Sequence, residues 1–303
     1  MASSTITTST ITTAATTPWV LSIQSHVAFG HVGNAAAVFT LQRQGVEVIN
    51  IHTVQFSNHT GYGAVKGQVF SAEHIRDVLQ GIKERGALGR CQAILSGYLG
   101  DASSGQAVLH AVAEVRALNP DADYLCDPVM GDAGRGIYVQ PAIPDVMREQ
   151  VLPAASIITP NRFEFELLIQ QSVTSLNNAI EHARALIARL PHLRCVTITS
   201  LDTPDIPANE LYTVAVTAEQ AWYVASPKLP IEPLPTGLGD TFSAVMLSRL
   251  VQGDALPEAL SHAVSTLSAL LSRTERGQRD LPLIAAQAMI VAPAPRYSAV
   301  ALG

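Results

Sequence analysis

The stretch Leu-Pro-Thr-Gly-Leu-Gly-Asp-Thr-Phe-Ser-Ala, residues 234–244, leads from a glycine-rich turn directly into an apolar helical pattern. Gly237 and Gly239 allow a tight turn with close backbone approach. The N–H groups at the start of the following helix have no intrahelical acceptor, so a turn of this kind can hold an anion. Short glycine motifs also recur by chance, and taken alone the stretch is better explained as a turn with Asp240 capping a helix.

Asp240 gives the turn a chemical interpretation. A carboxylate in the first helical turn can take a proton from an alcohol while neighbouring N–H groups hold the phosphoryl group that the alcohol attacks. We therefore expect Asp240 to act as a base and the backbone of Gly237, Leu238 and Gly239 to stabilise the transferred group. Because a helix N-terminus favours the charged form, we expect Asp240 to be a weak base that acts mainly by orientation.

Apolar strand patterns alternate with helical patterns along the chain on the N-terminal side of this stretch. Predicted strands lie at 19–23, 46–54, 92–95, 124–126, 156–158, 195–199, 211–216 and 221–224. Predicted helices lie at 33–44, 72–85, 103–118, 141–151, from about 162, 176–190, 240–251, 257–272 and 281–290. Strands joined by crossover helices imply a three-layer α/β/α fold with a mainly parallel central sheet. No linker or repeat divides the chain, so residues 18–303 are predicted to form one domain.

The composition provides a large core and excludes some partners. Hydrophobic residues make up 48% of the 303 residues and charged residues 15%. The net charge of −6 offers no basic surface for nucleic acid or an anionic membrane, and no apolar run reaches the length of a transmembrane helix. Cys91, Cys126 and Cys195 are far apart, which predicts buried thiols in a reducing, cytoplasmic compartment.

Residues 1–17 are a Ser/Thr/Ala tract without a charged side chain. A secretory signal would need a basic start and a continuous apolar segment, and a transit peptide would need arginines. We expect a disordered tail, with a tag or a leader as the alternative.

Carboxylates follow the predicted strands, at the edge of a parallel sheet where ligands bind. Asp127, Asp132 and Glu164 suit a loose Mg²⁺ site, because this cation takes a few carboxylates together with waters and substrate phosphates. Taken singly, each has another explanation. Asp127 precedes a proline, Asp132 lies in a glycine-rich turn, and Glu164 complements a helix dipole.

Six segments in a fixed order carry a resemblance. They are Gln-Ser-His-Val-Ala-Phe-Gly-His-Val-Gly-Asn (24–34), Thr-Val-Gln-Phe-Ser-Asn-His-Thr-Gly-Tyr-Gly (53–63), Ser-Gly-Tyr-Leu-Gly (96–100), Cys-Asp-Pro-Val-Met-Gly-Asp (126–132), Ile-Thr-Pro-Asn-Arg-Phe-Glu (158–164) and Gly-Leu-Gly-Asp (237–240). Together they resemble the pyridoxal kinases of the ribokinase-like superfamily over about residues 18–290. The Gly-x-Gly-Asp and Asp-Pro-Val-Met elements belong to the wider superfamily, whereas Gln-Ser-His and Ser-Asn-His-Thr-Gly-Tyr are particular to pyridoxal kinases.

The resemblance implies an enzyme of vitamin B6 salvage. It would use ATP to phosphorylate the 5′-hydroxyl of pyridoxal, and also pyridoxine and pyridoxamine, giving pyridoxal 5′-phosphate from pyridoxal. It further implies Mg²⁺ with ATP, a monovalent cation such as K⁺, and a homodimer.

The resemblance also implies residue roles. On the substrate side, Ser25 would bond the pyridine nitrogen, Thr60 would contact pyridoxal, Tyr98 would line the ring pocket, and Tyr138 would lie on a flap over the site. Asp127, Thr159 and Glu164 would surround ATP and its cations with Asp132 close by. Thr199 and Ser200 would contact nucleotide phosphate. The nucleotide-binding segment would comprise Ser226, Pro227, Lys228 and Leu229.

Leu238 departs from the pattern, since many members have threonine between the two glycines. A hydroxyl contact to phosphate would be lost, while the backbone N–H groups would remain. Two alternatives stay open on the sequence: a kinase for hydroxymethylpyrimidine or a related small alcohol, and a non-catalytic protein that binds B6 vitamers.

Overall fold

The structure, a computed structural model, describes residues 17–302; of the predicted tail at 1–17, only Thr17 falls within them. The strands are β1 (Trp19–Phe29), β2 (Glu47–Asn58), β3 (Gly67–Val69), β4 (Cys91–Ser96), β5 (Asp123–Cys126), β6 (Gly131–Asp132), β7 (Gly136–Ile137), β8 (Ile157–Ile158), β9 (Cys195–Leu201), β10 (Glu210–Val216), β11 (Ala221–Pro227) and β12 (Val300–Leu302). The α-helices are α1 (Asn34–Arg43), α2 (Ala72–Glu84), α3 (Ala102–Leu118), α4 (Ile143–Val146), α5 (Arg162–Ile169), α6 (Leu176–Arg189), α7 (Leu238–Val251), α8 (Leu256–Leu271) and α9 (Ala288–Val291).

The strands other than β6 and β7 form one sheet in the order β12-β11-β10-β9-β8-β5-β4-β1-β2-β3. The strands from β9 to β2 in this order run parallel, and antiparallel strands extend both edges. Strands β6 and β7 pair separately as a small hairpin. The predicted mainly parallel sheet is confirmed. Its parallel strands carry their carboxyl ends to one edge, where the predicted site residues gather.

The sheet is covered by helices on both faces. Neighbouring residues of β1 point to opposite sides: Val20 packs in the core shared with α1, α7 and α8, and Leu21 in the core shared with α2, α3, α5 and α6. This alternation follows from the period of two in a strand, and it makes both faces apolar. Helix α7 is buried from Thr241 to Ser248, so the helix that follows the glycine turn lies at the centre of its layer.

Several elements differ from the sequence prediction. Strand β1 continues to Phe29, so Ser25 lies within the strand rather than after it, because β2 pairs with β1 through Phe29 opposite Asn58. The predicted helix at 281–290 is instead a series of turns that ends in α9, where the hydrogen bonds connect residues two to four apart. The short strands β3, β6, β7 and β12 lack a sequence pattern of their own. Among the helices of residues 17–302, none combines the length and the apolar character needed to cross a membrane.

Candidate active site

The turn before α7 has the geometry of an anion site. Gly237 adopts φ 87°, and a side chain there would overlap the carbonyl oxygen of His31. The helix begins at Leu238, two residues earlier than predicted, and its first intrahelical bond runs from the Thr241 N–H to the Gly237 carbonyl at 3.0 Å. The N–H groups of Leu238 and Gly239 precede that bond and are available to an anion. The side chain of Leu238, the first residue of α7, packs against the apolar core. Leucine in place of the threonine found in many members therefore leaves the backbone donors in place.

Asp240 lies in the first turn of α7. Burial raises the pKa of its carboxyl group, while bonds from the N–H groups of Gly33 and of Asp240 itself oppose that rise. The expectation of a weak base held in its charged form is therefore wrong in its direction, because loss of water outweighs the donors at the helix end. A carboxylate with a raised pKa is the stronger proton acceptor.

Asp127 lies against the same turn. Its Oδ2 atom is 3.3 Å from the point that a Cβ on Gly239 would occupy, and the side chain is 3% exposed. Burial raises its pKa well above the ordinary value, and the negative charges of Glu164 and Asp240 add to the shift. Within residues 17–302 neither Asp127 nor Glu164 forms a salt bridge, so no protein cation compensates the charge that either group carries when it is ionised.

A chain of hydroxyl groups supports Asp127. Ser243 donates to Asp127 Oδ2 at 3.2 Å, and its hydroxyl group is 2.8 Å from that of Thr159. Thr159 was predicted to be near ATP, and it is buried at the carboxyl end of β8. Ser243 was missed by the sequence analysis. Its place three residues after Asp240, on the same face of the helix, is the signal that could have indicated it.

Glu164 is buried and caps helix α5. Its Oε1 accepts the Met130 N–H at 2.9 Å, and its Oε2 accepts the Asn161 N–H at 3.0 Å, while the Asn161 side chain accepts the Glu164 N–H in return. Burial raises the pKa of Glu164 to about 7, although these donors oppose the shift. Glu164 thus fixes the loop that follows Asp127, and its charge acts on Asp127 from a short distance.

Asp132 is engaged in its own hairpin turn. It accepts the N–H groups of Gly134 and Arg135 at 3.1 and 2.8 Å, and the Arg135 Nε atom donates to it at 2.7 Å. The predicted trio of carboxylates does not form a set of metal ligands by itself, since across residues 17–302 no three His, Cys, Asp or Glu side chains are grouped so as to hold a metal ion. Asp132 satisfies the turn that contains it, and its charge acts on Glu164.

Ser25 and Asp240 are linked through Gly33. A side chain at Gly33, which adopts φ 56°, would overlap both the carbonyl oxygen and the Oγ atom of Ser25. The N–H of the same glycine favours the charged form of Asp240 and lowers its pKa, which places it beside that carboxylate. Strand β1 pairs with β4 only as far as Ile23, so Ser25 lies where the sheet opens. The structure therefore places the predicted ring contact beside the predicted base.

The other predicted substrate contacts surround this opening. Tyr98 follows β4 and is partly buried, and its carbonyl accepts the Thr53 hydroxyl at 2.8 Å. Thr60 begins the exposed turn Thr60–Tyr62, whose cap is His59. Tyr138 follows the β6–β7 hairpin and is 41% exposed, with the Arg135 guanidinium 4.8 Å from its ring centroid. An exposed aromatic side chain after a short hairpin is consistent with a flap.

The predicted nucleotide segments lie towards the β9–β11 side of the sheet. Thr199 pairs with Asn161 across the ends of β8 and β9, and the adjacent Ser200 has φ 55°. Ser226 and Pro227 end β11, and Leu229 follows them in the chain. Lys228 Nζ is 3.3 Å from Asp202. These residues therefore border the same carboxyl edge at a distance from the Ser25 opening.

Comparisons with known proteins agree with this arrangement. The phosphomethylpyrimidine kinase family model matches residues 32–283. The pyridoxal kinase PdxY of Rubrobacter xylanophilus is 49% identical over 280 residues, covering 92% of this chain and 95% of the relative. That of Deinococcus radiodurans is 47% identical over 283 residues, covering 92% and 95%. A solved pyridoxal kinase from Leishmania donovani, in complex with ADP and pyridoxamine, superposes with a TM-score of 0.86 at 32% identity, covering 94% and 99%.

The fold is that of the ribokinase-like small-molecule kinases. The chain belongs to the pyridoxal kinase family, as its identity to curated members over nearly its whole length shows.

Proposed function

We propose that this chain transfers the γ-phosphoryl group of ATP to the 5′-hydroxyl group of pyridoxal, and of pyridoxine and pyridoxamine. One arrangement of residues carries the proposal. Gly33 packs against Ser25 and its N–H favours the charged form of Asp240, while the buried Asp127 carboxylate lies against Gly239, the neighbour of Asp240. We propose that a ring contact, a proton acceptor, an anion-binding turn and a carboxylate on the nucleotide side are thereby close together. The named activity of relatives 49% and 47% identical supports the choice of pyridoxal.

The proposed step is an in-line displacement. The substrate hydroxyl oxygen forms a bond to the γ-phosphorus, the bond from that phosphorus to the β,γ-bridging oxygen breaks, and ADP leaves. Asp240 receives the hydroxyl proton, and its raised pKa makes the acceptance favourable. The backbone N–H groups of Gly237, Leu238 and Gly239 stabilise charge on the transferring group.

On the substrate side, we propose that the Ser25 hydroxyl bonds the pyridine nitrogen. Thr60 would contact the substrate from the Thr60–Tyr62 turn, and Tyr98 would border the ring. Tyr138 would close over the site with its hairpin and exclude water, which strengthens every electrostatic interaction within.

On the nucleotide side, we propose that Asp127 faces the phosphates. Ser243 donates to Asp127 and is hydrogen-bonded to Thr159, so Thr159 supports Asp127 indirectly. Thr199 and Ser200 would contact phosphate, and Ser226–Leu229 would border the nucleotide. A divalent cation such as Mg²⁺ supplies charge neutralisation between the ATP phosphates when bound. Asp127 and Glu164 are buried and form no ion pair with the residues that the structure describes, and Asp127 fits such an ion as the protein ligand. Glu164, whose oxygens accept backbone N–H groups, and Asp132 would act through their charge and by fixing the loop.

A panel of alcohols tests the proposal. Release of ADP in a coupled assay would be measured with pyridoxal, pyridoxine, pyridoxamine and hydroxymethylpyrimidine, with and without Mg²⁺. We expect the B6 vitamers to be preferred. Faster turnover of hydroxymethylpyrimidine would favour the alternative that the matching family model suggests. Binding of pyridoxal without ADP release would indicate a non-catalytic carrier.

We propose in addition that residues 18–303 act as one kinase domain, that the protein is a cytoplasmic homodimer, and that K⁺ raises its activity. Light scattering of the purified chain tests the dimer, and replacement of K⁺ by tetramethylammonium in the coupled assay tests the cation.

A further inference from the structure

The segment after α8 contains Arg279 and Asp280, two neighbouring residues that contact opposite sides of the candidate site. Thr236, which precedes the anion turn, donates its N–H to the Arg279 carbonyl at 2.8 Å and its hydroxyl to the same atom at 3.1 Å. Thr236 and Asp280 also form an isolated parallel bridge. The entry to the anion turn is thus attached to this pair through the backbone.

The Asp280 carboxylate holds the segment that contacts the base. Its Oδ1 atom accepts the His31 N–H at 3.0 Å and lies 3.5 Å from the Thr236 hydroxyl. The His31 carbonyl abuts Gly237, and two residues further on the Gly33 N–H is near enough to Asp240 to favour its charged form and lower its pKa. One carboxylate therefore connects the loop after β1, through His31, with the anion turn, through Thr236. Both of these segments help to fix the position of Asp240.

The Arg279 side chain reaches the opposite side of the opening. Its Nη1 atom donates to the Gly61 carbonyl at 2.9 Å, and its guanidinium group lies 5.4 Å from the ring centroid of Tyr62. Both partners belong to the turn that contains Thr60. A single exposed arginine thus joins the proposed substrate turn to the segment that carries Asp280.

We propose that Arg279 and Asp280 are separate positioning residues: Asp280 orients the catalytic turn, and Arg279 holds the Thr60–Tyr62 turn in its substrate-binding position. This inference rests on the proposed kinase function. The two residues are adjacent in the chain, yet their side chains form hydrogen bonds with different elements: Asp280 with His31 and Thr236, and Arg279 with Gly61. Their substitutions should therefore affect different kinetic constants, which a general loss of folding would not do.

Kinetics of matched variants test the proposal. Asp280→Ala should lower kcat about 10- to 100-fold, the scale of a small misplacement of catalytic groups, with pyridoxal binding little changed. Asp280→Asn retains an acceptor oxygen for the His31 N–H and should recover most of that loss. Arg279→Ala should weaken pyridoxal binding about 2- to 12-fold, the loss of one hydrogen bond, with kcat near normal. Arg276→Ala, an exposed arginine of the same segment, is the control.

Pyridoxal binding would be measured by fluorescence titration without ATP, and kcat by coupled ADP release with whichever alcohol the wild-type protein turns over. Equal effects of both alanine variants on kcat and on binding would overturn the separate roles, as would wild-type constants in either variant. If only hydroxymethylpyrimidine is phosphorylated, the choice of pyridoxal fails, while the kcat difference between Asp280→Ala and Asp280→Asn still decides the role of Asp280. A protein that binds no pyridoxal and turns over no alcohol overturns both proposals.

Discussion

Replacing Asp240 by asparagine keeps the size of the side chain and removes its capacity to accept a proton. The carboxylate faces the N–H groups of Gly33 and of its own residue. An asparagine oxygen can accept the same two bonds, so the local fold should persist. The NH₂ group of the amide would then point towards the alcohol, where an acceptor is needed.

The structure sets the size of the effect. Loss of a general base lowers rates by roughly 10²–10⁴. Because burial raises the pKa of Asp240 and strengthens it as a base, we expect kcat to fall in the upper half of that range, by about 10³–10⁴. The KM for ATP should change little, since Asp127 and its hydroxyl partners stay in place.

The assay is coupled ADP release at saturating pyridoxal and ATP, measured as a function of pH. Because burial raises the pKa of Asp240, its proton is lost at a higher pH than that of an ordinary aspartate, and the contribution of Asp240 to the acidic limb of wild-type kcat should be absent in Asp240→Asn. Asp254→Asn is the matched control, because its carboxylate accepts from Arg249 Nε at 2.8 Å beyond the far end of α7. Near-normal kcat in Asp240→Asn would refute the role of the base, and an equal fall in the control would point to damage to the helix.

Three further substitutions test the site. Ser25→Ala should lower kcat/KM for pyridoxal about 5- to 150-fold, the cost of an unpaired buried polar atom, with no change in the KM for ATP. An equal loss for an alcohol without a ring nitrogen would show that Ser25 has a structural role instead. Glu164→Gln should raise the apparent Mg²⁺ requirement, and an unchanged Mg²⁺ titration would leave Glu164 as a helix cap alone. Burial raises the pKa of Glu164 from 4.5 to about 7, so between these pH values the folded protein holds a proton that the unfolded chain releases. Wild-type stability should therefore fall as the pH rises from 4.5 to about 7. Melting curves of Glu164→Gln should show a smaller fall over the same range. Gly33→Ala should lower both the melting temperature and kcat, because the alanine side chain would overlap Ser25. Gly45→Ala is the control: Gly45 has φ 82° and open space around it, so its variant should show only the milder cost of the φ angle.

Local patterns carried most of the fold prediction. The helices at 72–84 and 176–189 were predicted to within one residue because their apolar periodicity involves only neighbouring residues, and the structure shows Ser71 and Ser175 capping them. The turns at 281–287 were mistaken for a helix, since apolar side chains at helical spacing also occur in a buried irregular segment. Strand β12 was missed because its partner β11, rather than its own sequence, makes it a strand.

By itself, the sequence determined the order of the longer strands and helices, the family, and the glycine turn before an apolar helix, since each of these signals lies within short segments of the chain. Only the tertiary structure decided which of the polar residues meet. Ser243 reaches Asp127 across 116 positions and Thr159 across 84, whereas Asp132, five residues from Asp127, turns away to Arg135. The direction of the Asp240 pKa shift was decided in the same way, because burial is a property of the packed sheet and helices and has no signal within a single turn.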